Sequence, residues 1–162
     1  MLILSDDEID ALIKEPKTTP AGLVPLARLI ENNRHTRRDF DVQSISGSEF
    51  VILVRQSMIN PALDFSAILG YRKPGFNTVF RLRRYNGKHL HTNSIEGVTL
   101  NDFHFHTATE RYQKRGAKED SFAEVTSRHW SLDSAIRCLL EDCGFDPVPT
   151  SQQLKLFGTP PK

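Results

Sequence analysis

Residues 49–56 read Glu-Phe-Val-Ile-Leu-Val-Arg-Gln, a short, β-branched and almost unbroken apolar run. A run of that length between turn residues suits a strand in the middle of a sheet, covered on both faces. Its surroundings repeat the signal. Residues 39–45 alternate before Gly47, residues 64–71 follow an Asn60-Pro61 loop, and residues 78–85 follow the Lys73-Pro74-Gly75 turn. Asn86-Gly87 has the form of a two-residue hairpin turn, because both residues tolerate positive φ. Residues 89–92 then run back along residues 78–85, and residues 103–112 and 121–128 supply the last strands.

Helices bracket this β-rich stretch. Ser5 and Glu8 form a capping box, Leu4 and Ile9 a hydrophobic staple, and Pro16 ends the helix. Residues 23–33 are read as a short helix with Pro25 in its first turn. Ser131 caps a final helix over residues 132–143, stopped by Gly144, with Leu132, Ile136, Leu139 and Leu140 on its packed face. Helices, then an antiparallel sheet, then a helix define an α+β fold, with about five to seven mainly antiparallel strands flanked by N-terminal and C-terminal helices. One domain is expected over residues 1–147, with a loose proline-rich tail over 148–162.

Composition narrows the function classes. The chain has 162 residues, 38% hydrophobic and 25% charged, enough for one core and too apolar for disorder. With 21 basic and 20 acidic residues the formal charge is +1, which excludes binding nucleic acid by bulk charge. Local basicity remains at residues 34–38 and 81–91. Cys138 and Cys143 are read as buried free thiols. No stretch approaches the roughly 18 apolar residues of a membrane span. The Met-Leu-Ile-Leu start meets Ser-Asp-Asp-Glu at once, so a cytoplasmic protein with no membrane partner is expected. The oligomeric state is not set by the sequence.

Two His-x-His pairs, His89–His91 and His104–His106, carry the chemistry. Side chains two apart on a strand share a face, roughly 6.5–7 Å from one another. His104 and His106 then share a face with Ala108, Glu110 and Tyr112, while Phe103, Phe105, Thr107 and Thr109 take the core face. The expectation is that this histidine pair faces a cleft or solvent. Around the Asn86-Gly87 hairpin, His89 falls opposite Arg84 and His91 opposite Leu82.

Two reaction types use such histidines. In metal-free RNA cleavage, His104, His106, His89 and His91 supply the acid and base, with Tyr112 beside them. Arg83, Arg84 and Arg111 are then the phosphate ligands, and no cofactor is needed. In the alternative, His104, His106 and Glu110 hold a divalent transition metal, with His89 or His91 as a further ligand. His104-x-His106-x₃-Glu110 resembles the first metal motif of the cupin family, although Gly97 and Gly116 each stand one position off that spacing and only His129 follows. A third reading is a non-catalytic module whose partner is another protein.

A broader resemblance joins these residues. Arg84-Tyr85-Asn86-Gly87, His89-x-His91-x-Asn93, Phe103-His104-x-His106 and Ala108-Thr109-Glu110-Arg111-Tyr112 resemble a family of uncharacterised small bacterial proteins over roughly residues 48–145. That family is similar in layout to TumE-type toxins of toxin–antitoxin pairs, and the element order is compatible with RelE/barnase-like ribonuclease folds. The resemblance implies a ribonuclease-like bacterial toxin whose partners are RNA and a cognate antitoxin protein.

Overall fold

A computed structural model describes residues 3–23, 30–32 and 35–146. Its order is α1 (Asp6–Lys14), β1 (Ile30–Asn32), β2 (His35–Gln43), β3 (Glu49–Ser57), β4 (Phe65–Arg72), β5 (Phe80–Asn93), β6 (Val98–Thr107), α2 (Glu110–Lys114), β7 (Phe122–Val125) and α3 (Leu132–Asp142). The seven strands lie side by side in chain order, every neighbouring pair antiparallel. The fold is α+β, as the element pattern predicts. Among the described residues no helix is long and apolar enough to cross a membrane.

Local chemistry explains the two long helices. Ser5 accepts from the Glu8 amide while the Glu8 carboxylate accepts from the Ser5 amide, and Ser131 and Ser134 repeat the exchange at α3. Past α3, Gly144 takes φ +78°, the left-handed conformation that ends a helix. The helices bury Ile9, Ile13, Ala135, Ile136 and Leu139 against Phe50, Ile52, Val54, Phe65 and Leu69 of β3 and β4. On β5, Tyr85 belongs to this face, and its hydroxyl donates to Asp142 of α3 at 2.6 Å. Full burial of each Ile, Leu, Val or Phe side chain among them is worth about 1.5–3 kcal/mol. Cys138 and Cys143 are buried and free.

Three readings of the sequence need correction. Residues 30–32, inside the expected helix over 23–33, pair with β2 as a strand; residues 24–29, 33 and 34 lie outside the described set, as do residues 147–162, which include the expected loose tail. Residues 103–112 are not one strand: β6 ends at Thr107, and Thr109 caps the short helix α2 by accepting from the Tyr112 amide. Asn86-Gly87 is not a hairpin turn. β5 runs straight through it, and the chain reverses at residues 94–97, where Gly97 takes φ +68° and its amide donates to the Asn93 carbonyl at 2.8 Å.

Gly87 is instead the extra residue of a β-bulge, with Asn86 opposite His104 and Lys88 opposite Phe103. Glycine is required there by proximity. A β-carbon on Gly87 would come within 1.9 Å of the Leu63 carbonyl oxygen, and the same carbonyl accepts from the Lys88 amide at 2.8 Å.

Candidate functional site

The bulge decides which histidines meet. On an unbroken strand Arg84 and Asn86 point to one face and His89 and His91 to the other. The extra residue at Gly87 cancels that alternation. Across the β5–β6 pair, Arg84 stands opposite His106, Asn86 opposite His104, His89 opposite Asp102 and His91 opposite Leu100. Even positions before the bulge and odd positions after it therefore share the face of His104 and His106, away from α3.

The four imidazoles form one cluster there. Ring centroids lie 4.6 Å apart for His89–His104, 4.7 Å for His91–His106, 5.0 Å for His104–His106 and 5.9 Å for His91–His104. His104 and His106 are 0% and 1% exposed, which overturns the expectation that they face a cleft or solvent. His91 is half-buried and His89 exposed. The cover comes from β7 and the segment before it. Asn93 clasps Ala123 through two side-chain bonds of 2.8 Å, to its amide and its carbonyl, and this holds β5 over β7.

Three rings are pinned by backbone carbonyls, which can only accept. His104 Nδ1 lies 2.7 Å from the Asp102 carbonyl, His106 Nδ1 2.8 Å from that of Asp120, and His91 Nε2 2.9 Å from that of Ser121. In the neutral form of each ring the proton sits on that nitrogen, which leaves the lone pair on His104 Nε2, His106 Nε2 or His91 Nδ1. Burial, the main cause, pushes His104 down to about 4 and His106 to about 2, with neighbouring imidazoles and Arg84 adding to the shift. Burial and Arg84 also lower His89. His104 and His106 are neutral at pH 7.

A buried ion pair closes the inner end. Arg84 Nε lies 3.0 Å from an oxygen of Asp120, itself fully buried, yet the N–H is not aligned for a hydrogen bond. Arg84 Nη2 is 3.4 Å from His106 Nδ1, whose N–H already donates to the Asp120 carbonyl, so the contact is between charge and ring rather than a hydrogen bond. Burial raises the Asp120 carboxyl and lowers the Arg84 guanidinium, with their attraction opposing both shifts. Asn86 Oδ1, His106 Nε2 and both Asp120 oxygens are buried acceptors without a hydrogen-bond partner among the described residues. Such groups are scarce in folded proteins, which sets this corner of the histidine face apart.

The remaining expected residues lie elsewhere. Arg83 is on the opposite face, 5.3 Å over the Phe105 ring. Tyr112 is buried, its hydroxyl donating to Glu96 at 2.6 Å and accepting from the Ile95 amide at 3.2 Å. Arg111 bonds the same Glu96. Glu110 pairs with Lys114 on α2. The chain leaves the strand before Glu110, so the set His104, His106 and Glu110 is not brought together, and neither is the trio Arg83, Arg84 and Arg111. Sequence reasoning missed Asp120, which no motif marks, and the clasp by Asn93, whose only signal is its spacing two residues after His91. His129 lies in the main core, its Nε2 2.7 Å from the Asn86 carbonyl.

As the side chains stand, no three His, Cys, Asp or Glu residues among those described present donor atoms to one ion. No family model, no curated protein and no solved structure matches the chain.

Proposed function

We propose that the histidine face binds a divalent transition metal, with His91 Nδ1, His104 Nε2 and His106 Nε2 as ligands. The carrying observation is the pinning of three imidazole rings by backbone carbonyls. Metal-bound histidines almost always donate their other N–H in this way, which fixes the tautomer and leaves the second ring nitrogen as the donor atom. Spacing agrees. Metal–nitrogen bonds of about 2.0–2.1 Å at tetrahedral angles put ligand ring centroids about 5 Å apart, and the three here are 4.7, 5.0 and 5.9 Å apart. The rings must still turn to meet one ion, chiefly His104, whose Nε2 faces the Asn86 amide nitrogen at 3.5 Å. Glu110 has no part in this set.

Elemental analysis of protein purified without a histidine tag tests the reading. About one equivalent of zinc, cobalt, nickel or iron is expected, falling to near zero in His104→Ala and His106→Ala but not in His35→Ala. A chain that stays metal-free after exposure to all four ions discards it.

A second reading, metal-free RNA cleavage by a toxin held in check by an antitoxin protein, has one observation in its favour: exposed His89 lies within the field of Arg84 and Arg55. Buried His104 and His106 do not reach a substrate, so acid and base fall to His89 and His91. Growth arrest with RNA breakdown on expression, relieved by His89→Ala, is the expected outcome. Intact RNA in a healthy expressing culture discards this reading.

A further inference from the structure

We infer that the edge of β6 beyond the end of β7 is a docking lane for an extended, lysine- or arginine-bearing segment of a partner protein. β6 covers Val98–Thr107, yet β7 pairs with only His104–Thr107 of it. The chain then turns off at Thr126, whose amide donates to the Phe103 carbonyl at 3.0 Å. In an antiparallel ladder successive residues turn their N–H and C=O to opposite sides. Phe103 sets the phase, so Asn101 and Thr99 turn theirs the same way, away from β5. The Thr92 and Thr99 hydroxyls, 2.9 Å apart, agree with this, because side chains approach most closely where two residues exchange no backbone bond. Among the described residues nothing bonds the outward groups of Thr99 and Asn101.

An open edge of this kind is a template for another strand, and folded proteins usually cover it. Here the neighbouring edge is covered: Asn93 takes both backbone groups of Ala123 on β7, at 2.8 Å each. The β6 edge stays open onto a groove of about 680 Å³ between β6 and β7. Val98 and Val125 on its walls are 53% and 54% exposed, apolar surface that a guest strand would bury. Charge selects the guest. Glu96, Asp102 and Glu124 line the groove, and no Lys, Arg or His does. Glu96 is held by Arg111 and Tyr112, whereas Asp102 and Glu124 are exposed. A second copy laid edge to edge sets these carboxylates against one another; a basic strand meets them with opposite charge. Val125 stands opposite His104 and Glu124 opposite Phe105, so the two point to different faces. A guest that alternates apolar and basic residues satisfies both, while backbone bonds to Thr99 and Asn101 hold it. Docking here needs no metal at the histidine face.

The test uses the full chain and a labelled Lys-Val-Lys-Val-Lys-Val-Lys peptide, with binding read by fluorescence anisotropy. Saturable binding is expected, with the Thr99 and Asn101 amide resonances moving in NMR spectra. Methylation of alternate peptide nitrogens keeps the charge and removes strand pairing, and should weaken binding more than about tenfold. Glutamate in place of the peptide lysines should abolish it. Thr99→Pro removes an outward N–H that serves no ladder bond, a place where an edge strand tolerates proline, and should weaken binding about fivefold. Glu124→Lys, an exposed change, should weaken it about threefold. No binding of the lysine peptide overturns the inference. Binding that survives nitrogen methylation also overturns it, because charge alone then carries the contact. Self-association of the wild-type chain that is lost in Thr99→Pro overturns it too, by placing the same edge against a second copy.

Discussion

Gly87 and Leu63 are in backbone contact, so close that a β-carbon on Gly87 would lie 1.9 Å from the Leu63 carbonyl oxygen. This contact sustains the bulge that puts His89 and His91 on the face of His104 and His106. Gly87→Ala must therefore push β5 away from residue 63 or expel the extra residue. A loss of more than about 3 kcal/mol is expected, from overpacking against backbone that has no rotamer to change. Urea midpoints measure it. In whatever fraction stays folded, metal uptake should fall with the lost alignment; full stability and uptake would show that the bulge does not depend on glycine.

Asp120 and Arg84 make a separate prediction. Burial works against both charged forms, so the pair adds little net stability, yet either charge alone is costly. Asp120→Asn leaves a guanidinium whose side chain is only 22% exposed without its partner, a loss of about 3–5 kcal/mol. Arg84→Met combined with Asp120→Leu should recover most of it. A double-mutant cycle in denaturant reads the coupling, and additive effects of the two single changes would show that the pair does not act as one.

Local signals were legible in the sequence and non-local ones were not. The capping boxes at Ser5 and Ser131, the apolar run of β3 and the Gly144 stop depend on residues within one turn or strand, and the structure has each of them. The histidine face depends on contacts across the chain. Asn-Gly reads as a turn when only its φ freedom is considered, but here glycine answers the approach of Leu63 from another loop. The alternation of residues 103–106 was legible as alternation, with its exposure inverted: His104 and His106 are sealed while Phe103 and Phe105 are partly buried. The cover over the histidines comes from Ser121 and Ala123, which His91 and Asn93 engage from 30 residues away. Sequence periodicity assigns residues to faces; it does not say which face a later strand will close.

Tyr112 tests whether a candidate catalytic residue is structural. Its hydroxyl joins Glu96 to the Ile95 amide, tying the β5–β6 turn to α2. Tyr112→Phe leaves that amide without a partner, at about 1–3 kcal/mol. Metal content should be unchanged, because Tyr112 is not among the clustered imidazoles. A fall in metal content without a fall in thermal midpoint would place Tyr112 in the site.

Lys17 gives the pH prediction. It is 1% exposed, with Nζ donating to the carbonyls of Leu12, Ile13, Glu15 and Cys143 at 2.8–2.9 Å and standing 4.4 Å over the Phe50 ring. One ammonium thus satisfies carbonyls at the ends of both long helices. Burial lowers it from 10.5 to about 8. Between those values the unfolded chain holds a proton that the folded chain has released, so stability rises with pH across that window, by on the order of 3 kcal/mol in full. Below about pH 8 both states are charged and the gain is absent. Lys17→Met removes the slope. It also removes the three N–H donors shared by those carbonyls, at about 1–3 kcal/mol for each hydrogen bond lost, and a net loss of stability at pH 7 is expected. Denaturant midpoints of both proteins at pH 7, 8.5 and 10 read slope and offset together. A wild-type midpoint that falls between pH 8.5 and 10 while that of Lys17→Met stays level would reverse the sign assigned to this lysine.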